Sequence, residues 1–308
     1  SSELFSEAAI EFLNNRERDD DPFLMYVSYT APHDPRMAPD EYAAMYRPED
    51  IALPPNFMPE HPFPIGDLRV RDERLAPFPR TPEVVRKHIA AYYAMITHLD
   101  AQIGRVLDAL EASGEAENTI VILAGDNGLA VGQHGLLGKQ NIYEHSARVP
   151  LIISGPGIPR GKRCEALCYL HDVFPTICEL TGLPIPDSVQ SLSLAPLIRN
   201  QKAAVRDSVY LAYSTTADAL IDGFQQEPGV LRGVRRGSWK LILSNCGETI
   251  TRQLFDLRDD PWEVKNLADN SEAADRVEEM TRLLEEWIER SGDTIDPNQP
   301  GWNFPPLR

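Results

Sequence analysis

The residues best suited to chemistry lie close together between Ala124 and Lys139. Asp126 and Asn127 follow a predicted strand directly, and a carboxylate beside an amide oxygen suits Ca²⁺ or Mg²⁺ better than zinc. Lys139 ends this loop and could return a positive charge to the same pocket. The loop's glycines let the backbone approach a ligand closely; they are Gly125, Gly128, Gly132, Gly135 and Gly138. A purely structural interpretation stays open, because Asp-Asn-Gly is a common turn and His134 is typical of a loop histidine bonded to backbone.

A further histidine follows a different predicted strand. Residues 23–29 form a short apolar run rich in aromatic side chains, which predicts a buried strand. The sequence Thr-Ala-Pro-His-Asp-Pro at residues 30–35 ends that strand as a loop and places His33 just beyond it. Residues 36–80 are then punctuated by prolines and show little periodicity. This predicts a long irregular excursion, of the kind that is usually functional or disordered.

Strands and helices alternate through the first two thirds of the chain. Thr81 can cap a long helix, whose apolar residues recur at steps of three and four until Gly114. The runs 119–124 and 149–154 are apolar on both faces, which predicts strands of a sheet covered by helices on both sides. Residues 172–181 predict another helix. We therefore expect an α/β fold with a mainly parallel sheet.

The pattern changes near residue 206. Short apolar runs separated by turns predict a small antiparallel sheet; the runs are 209–213, 231–234, 239–243 and 253–257. A last helix is predicted from about Ser271. We therefore expect a large α/β part over residues 1–205 and a smaller part, a sheet plus a helix, over residues 206–308. Residues 1–18 predict an opening amphipathic helix and not a signal peptide.

Composition excludes some partners. The formal net charge of −17 would repel a phosphate backbone, so no nucleic-acid partner is expected. No run approaches the roughly 18 apolar residues of a membrane span. The cysteines do not form the paired spacing of a structural zinc site, and free or buried thiols are expected, with a disulfide as the alternative; they are Cys164, Cys168, Cys178 and Cys246. Redox compartment and localisation stay open.

Several short sequence motifs occur one after another along residues 20–290. They are Thr-Ala-Pro-His-Asp-Pro at 30–35, Tyr-Tyr-Ala-x-Ile at 92–96, Gly-Asp-Asn-Gly at 125–128, Gly-Gln-His-Gly-Leu-Leu-Gly-Lys at 132–139, Tyr-Glu-His-Ser-Ala-Arg-Val-Pro at 143–150, Asp-Val-Phe-Pro-Thr at 172–176, Trp-Lys-Leu-Ile at 239–242 and Leu-Phe-Asp-Leu-x-x-Asp-Pro at 254–261. Each motif alone is a weak signal. Together, in register, they resemble the middle and later part of the sulfatase family.

This resemblance implies a fold and a set of roles. The fold would be alkaline-phosphatase-like: a mixed, mainly parallel sheet between helices, with a smaller C-terminal antiparallel sheet plus helix. Asp126 and Asn127 would bind a divalent cation, usually Ca²⁺. Lys139 would contact the sulfate group, and His33 would lie beside the leaving-group oxygen. The implied reaction is hydrolysis of a sulfuric ester, with a sulfated small molecule or a sulfated carbohydrate as substrate.

The resemblance also implies parts that the sequence lacks. Sulfatases use a formylglycine made from the Cys or Ser of a C/S-x-P-x-R motif, and no cysteine or serine here fits that pattern. The family's early Asp pair is also missing. We therefore expect a C-terminal portion, inactive alone, that needs a complementary N-terminal half. The alternatives are a phosphodiesterase or phosphonate monoester hydrolase of the same superfamily, and a non-catalytic binding protein that kept the fold.

Overall fold

The computed structural model describes residues 1–17, 21–66, 68–215, 229–246 and 249–294. The chain divides into two compact units, and each is built from separate stretches of sequence. The first unit comprises Ser1–Pro54, Arg80–Leu123 and Ile152–Ile158; the second comprises Pro55–Pro79, Ala124–Leu151 and the chain from Pro159 onward. The boundary that the sequence predicts at residues 205 and 206 stays a prediction.

Helices dominate the first unit: α1 (Ser2–Asn14), α2 (Asp40–Ala43) and α3 (Pro82–Ala112). The long helix begins as predicted, because the Thr81 hydroxyl accepts a hydrogen bond from the Val84 amide. Near its end, Ala109 and Leu110 pack against Leu13 of α1. The opening helix and the long helix are both confirmed, since each carries an apolar stripe that the other can bury.

The strands of this region are short and only partly covered. β1 (Val121–Ala124) and β2 (Leu151–Ser154) form a two-stranded sheet, at the places where the sequence predicts strands. The prediction that they are buried on both faces is wrong, since the side chain of Ile152 is 59% exposed. Residues 23–29 form no helix and pair with no strand in the described part of the chain, and Leu24 and Tyr26 are 82% and 89% exposed. The predicted buried strand is therefore also wrong.

The second unit contains α4 (Glu144–Ala147), α5 (Val173–Thr181) and α6 (Ala195–Ile198). The carboxylate of Asp172 fixes the start of α5, because it is buried and accepts hydrogen bonds from the amides of Tyr169 (2.7 Å) and Leu192 (3.0 Å). Arg206 pairs with the same carboxylate, with Nη2 2.7 Å from Oδ1. The helix predicted over 172–181 is thus confirmed.

The four strands predicted after residue 206 are also confirmed. They are β3 (Ser208–Thr215), β4 (Gly229–Arg236), β5 (Trp239–Cys246) and β6 (Thr249–Asp256), antiparallel in that order. The last helix, α7 (Ala274–Ser291), covers one face of this sheet. Apolar side chains of the sheet and of α7 share one core there: Val234, Leu241, Leu254, Val277, Met280 and Leu284. Burial on this face follows from strand alternation opposite a helical stripe.

The other face of the sheet is covered by the loop region that carries the candidate residues. Leu231, Ile242 and Phe255 point to this face and pack against a second buried group, Ala130, Leu136, Ile142 and Tyr143. Gly233 allows the close approach, since a Cβ there would lie 2.7 Å from Ile142 Cδ1. The small sheet therefore supports the glycine-rich loop from behind.

Two expectations from composition are also answered. All four cysteines are free thiols, two of them exposed and two buried. Among the residues that the structure describes, no helix combines the length and the apolar character needed to cross a membrane.

Candidate functional site

Asp126 and Asn127 lie directly after β1, and both side chains are exposed. Asp126 Oδ1 accepts a hydrogen bond from the Asn127 amide at 2.8 Å, and Asn127 Nδ2 donates to the Gly128 carbonyl at 2.8 Å. Within the described residues, the second carboxylate oxygen of Asp126 and the amide oxygen of Asn127 have no hydrogen-bond partner. Each residue therefore keeps one oxygen available for a ligand.

These two oxygens fit a hard divalent cation in kind but not in number. Carboxylate and amide oxygens are ligands that Ca²⁺ prefers, yet Ca²⁺ takes about 6 to 8 of them. The described residues contain no cluster of three or more His, Cys, Asp or Glu side chains that could complete such a site. Asp126 and Asn127 can therefore supply part of a coordination shell.

The glycine-rich loop after Asn127 is fixed by its own backbone. The Ala130 amide donates to Gly138 O at 3.0 Å, and the His134 amide donates to Asn56 O at 2.7 Å. His134 itself has φ of 53°, a left-handed conformation that costs energy for a residue with a Cβ. Gly128 is sterically required, because a Cβ there would lie 2.0 Å from the carbonyl oxygen of His145. Backbone hydrogen bonds and close packing therefore fix the conformation of the loop, and Lys139 lies at its end.

Lys139 is half-buried and forms no salt bridge within the part of the chain that the structure describes. The backbone before it is bound by a side chain from the proline-rich excursion, because Glu73 accepts hydrogen bonds from the amides of Leu137 and Gly138. Sequence reasoning missed Glu73 and its neighbour Asp72. The only local signal was a pair of acidic residues inside an irregular segment.

His33 lies in an exposed turn of the first unit. Its amide donates to the Thr30 carbonyl at 2.9 Å, and its ring Nδ1 lies 3.0 Å from the Asp34 carbonyl oxygen. Since a carbonyl only accepts, Nδ1 carries a proton in this arrangement. His33 belongs to the first unit, while Asp126, Asn127 and Lys139 belong to the second. Their convergence stays a prediction.

A buried aromatic group lies behind the loop. The rings of His134 and Tyr143 stack with centroids 4.1 Å apart, and His145 lies 5.7 Å from both. The Tyr143 hydroxyl lies 3.2 Å from Nε2 of His61 and 3.0 Å from Oε1 of Gln253. Burial lowers the pKa of His61 and of His134 to about 4, and it lowers the pKa of His145 well below its usual value. These rings are therefore neutral at physiological pH.

A buried ion cluster joins α4 to the small sheet. The Lys240 side chain is fully buried, with Nζ 2.9 Å from Glu144 Oε1 and 2.8 Å from Glu263 Oε1. Arg235 binds the other oxygen of Glu144 at 2.7 Å. Burial alone would raise the pKa of Glu144, but the charges of Lys240 and Arg235 lower it overall. The pKa of Glu263 is raised because burial outweighs its contact with Lys240.

Comparison with known proteins identifies the class to which this fold and loop belong. Residues 1–183 match the family described as "Sulfatase", and residues 132–290 match the family described as "N-sulphoglucosamine sulphohydrolase, C-terminal". The first of these matches covers more than half of the chain and begins at its first residue. The chain belongs to the sulfatase family.

Curated relatives agree with this assignment. The chain is 32% identical over 288 residues to an arylsulfatase of Clostridium perfringens (strain 13 / Type A), a match covering 90% of this chain and 55% of that protein. It is 32% identical over 269 residues to a choline-sulfatase of Rhizobium meliloti (strain 1021), covering 83% of this chain and 49% of the relative. The chain thus spans about half the length of the curated relatives it matches.

Solved structures confirm the alkaline-phosphatase-like fold. A protein solved with its substrate D-glucosamine-2-N,6-O-disulfate has a TM-score of 0.79 at 23% identity, covering 97% of this chain and 71% of that one. The phosphonate monoester hydrolase of Agrobacterium radiobacter has a TM-score of 0.76 at 23% identity, covering 94% and 60%. At these identities the likeness concerns the fold alone.

Proposed function

We propose that this chain forms the metal-binding and leaving-group side of a sulfuric ester hydrolase. The observation that carries the proposal is the loop between Asp126 and Lys139. It places two exposed oxygen donors at the end of β1 and ends in a half-buried lysine that no described carboxylate binds. Family membership supports the assignment of Asp126 and Asn127 as metal ligands and of Lys139 and His33 as catalytic residues.

The proposed reaction requires stabilisation of negative charge on the leaving alcohol and on the sulfate oxygens. A sulfate ester loses its alcohol as an alkoxide or phenoxide, so a proton donor at the bridging oxygen lowers the barrier. As an imidazolium, His33 would supply that proton from Nε2, while its Nδ1–H group remains bound to the Asp34 carbonyl. Lys139 would neutralise negative charge on the non-bridging oxygens. A bound divalent cation, for which we propose Ca²⁺ before Mg²⁺, would add positive charge at the same oxygens.

The nucleophile is proposed to come from outside this sequence. No C/S-x-P-x-R motif occurs in the 308 residues, so the formylglycine of the family would be contributed by a complementary N-terminal half. That half would also complete the metal shell, since Asp126 and Asn127 alone provide too few oxygens. The 308-residue chain alone is therefore proposed to be inactive.

For the substrate we propose a sulfated carbohydrate or a sulfated small molecule. Relatives support this class, because they include an arylsulfatase and a choline-sulfatase. A phosphonate monoester hydrolase is the second candidate, since such an enzyme shares the fold with a TM-score of 0.76. It ranks lower because the curated relatives with higher identity are sulfatases. A non-catalytic binding protein is the third.

The test is an assay of the chain joined to a nucleophile-bearing N-terminal segment, with an aryl sulfate and an aryl phosphonate as rival substrates. We expect metal-dependent hydrolysis of the sulfate, and a large loss of rate in Lys139→Ala and His33→Ala. The 308-residue chain alone is the control. Preferential hydrolysis of the phosphonate would support the second candidate, and activity of the chain alone would overturn the proposed need for a second half.

A further inference from the structure

Two acidic residues that the proposed reaction does not use accept hydrogen bonds from loop residues before and after Lys139. Asp72 and Glu73 begin the 3₁₀ turn Asp72–Leu75, and each is only 3% exposed. Buried carboxylates are costly unless they are bound by donors or positive charges. Their partners therefore indicate what they stabilise.

Glu73 binds the backbone that precedes Lys139. The Leu137 amide lies 3.1 and 3.0 Å from its two carboxylate oxygens, and the Gly138 amide lies 2.8 Å from Oε1. Two successive amides directed at one anion form a charge-assisted contact, which is stronger than a neutral hydrogen bond. The approach is close, since a Cβ at Gly138 would lie 2.9 Å from Glu73 Oε1.

Asp72 fixes the residue that follows Lys139. Its Oδ2 accepts a hydrogen bond from Gln140 Nε2 at 3.0 Å, and Gln140 Oε1 accepts one from the Lys139 amide at 2.9 Å. Its Oδ1 is bound by Arg71, with Nε at 2.9 Å and Nη2 at 2.6 Å. The Leu137 and Gly138 amides and, through the Gln140 side chain, the Lys139 amide are thus bound to one turn, more than sixty residues earlier in the chain.

The charges around Asp72 leave the lysine available. Burial alone would raise the pKa of Asp72, but hydrogen bonds from Gln140 and Arg71 and the charges of Arg71 and Lys139 lower it overall. Lys139 is thus near enough to feel the carboxylate. Because Arg71 occupies that carboxylate, and no other described residue forms a salt bridge with Lys139, its ammonium remains free to bind an anion.

We propose that Glu73, supported by Asp72, is a positioning residue that holds Lys139 in place to bind the sulfate group of the substrate. The identity of that anion rests on the proposed function, whereas the hydrogen bonds from the loop to Glu73 and Asp72 do not depend on it. The negative charge of Glu73 is the essential property, because two amide donors converge on it and an amide side chain would present its own donors to them.

The first measurement is hydrogen–deuterium exchange at Leu137 and Gly138 in the 308-residue chain. Glu73→Gln keeps the shape and removes the charge, and we expect exchange at these amides to accelerate about tenfold, as for loss of a charge-assisted hydrogen bond. Glu73→Asp keeps the charge on a shorter side chain and should fall between wild type and Glu73→Gln. If packing alone mattered, the glutamine isostere would resemble wild type and the aspartate would be worse, which would overturn the proposal.

A matched control separates local from global loosening. Asp172 is also a buried carboxylate that accepts two backbone amides, and it contacts neither Leu137 nor Gly138 in the described residues. Asp172→Asn should destabilise the chain without selective acceleration at Leu137 and Gly138. Equal acceleration in both variants would mean that Glu73 acts only on overall stability, and the proposal would fail.

The second measurement follows the lysine itself. Acetylation of Lys139 by acetic anhydride, read by mass spectrometry with and without inorganic sulfate, should show sulfate protection in the wild-type chain and weaker protection in Glu73→Gln. Protection that is equal in both proteins would overturn the positioning role. Absence of protection even in wild type, with exchange altered as expected, would count against the proposed sulfate function but not against the role of Glu73 in binding the loop.

Discussion

The imidazole ring of His134 lies flat on the phenol ring of Tyr143, with centroids 4.1 Å apart and planes inclined by 6°. His134 also has a left-handed backbone, so the loop accepts local strain to place this ring in the interior. Since His61 and His145 contact the same tyrosine ring, three neutral imidazoles are packed behind the loop that carries Lys139. We expect this arrangement to make the stability of the protein depend on pH.

We expect the free energy of unfolding to fall as pH decreases from about 6.5 toward 4. Burial lowers the pKa of His61 and His134 from 6.5 to about 4, so their unfolded forms bind protons first. The loss is at most about 2 kcal/mol per histidine between pH 7 and pH 5. Lys240 adds to it, because its charge also opposes protonation of His134 and His145.

Urea unfolding at pH 7.5 and pH 5.0 checks this expectation. His61→Gln should reduce the difference between the two pH values, and His171→Gln, an exposed histidine outside the group, should leave it unchanged. A difference that is the same in His61→Gln as in wild type would contradict the assignment.

Lys240→Met should destabilise the protein by roughly 3 to 5 kcal/mol. The variant removes the ammonium that both Glu144 and Glu263 contact, and leaves two carboxylates buried together. Chemical denaturation at neutral pH measures the loss. Lys162→Met is the control, because Lys162 is exposed and bonds only to Asn200 in the described residues. Adding Glu263→Gln to Lys240→Met should recover part of the loss; no recovery would show that charge is not the cause.

Gly128→Ala should cost roughly 1 to 3 kcal/mol, because the new Cβ would lie 2.0 Å from the His145 carbonyl and the loop must move. Gly104→Ala is the matched control. It lies in α3 with nothing within 4 Å of a built Cβ, so it should gain up to about 1 kcal/mol from helix propensity. Thermal unfolding of both variants decides the point, and a Gly128→Ala protein as stable as wild type would refute the steric argument.

His33 and Lys139 should both lie within several ångströms of a metal bound by Asp126. This follows if they act on one sulfate group, since charge-stabilising side chains must contact the reacting atoms directly. A crystal structure of the chain joined to the proposed N-terminal half, with a bound metal, measures the distances. A separation beyond about 12 Å for either residue would remove it from the proposed catalytic set.

The regular elements could be predicted because each carries a local signal. Thr81 caps a long helix that carries an apolar stripe. The four strands after residue 206 are short apolar runs separated by turns. The run 23–29 carries an equally clear signal, yet a strand exists only where another strand accepts its hydrogen bonds. No described strand pairs with residues 23–29, and the side chains of these residues are alternately exposed and partly buried.

The site divides in the same way. Asp126, Asn127 and Lys139 could be proposed as candidates because a glycine-rich loop after a strand is visible in the sequence. Glu73 and His61 were not found, because both lie in an irregular segment without periodicity. Their roles arise from contacts with residues 64 and 82 positions away. Such contacts depend on tertiary packing and leave no local pattern.

The two-sided sheet of residues 208–256 has a consequence for truncated products of this gene. One face of that sheet buries α7, and the other buries Ala130, Leu136 and Ile142. A stop codon before β4 would therefore remove the strands that bury Ala130, Leu136 and Ile142, and would leave those side chains in water. Such a polypeptide should be lost to aggregation or proteolysis, so a premature stop codon before β4 should behave as a null allele.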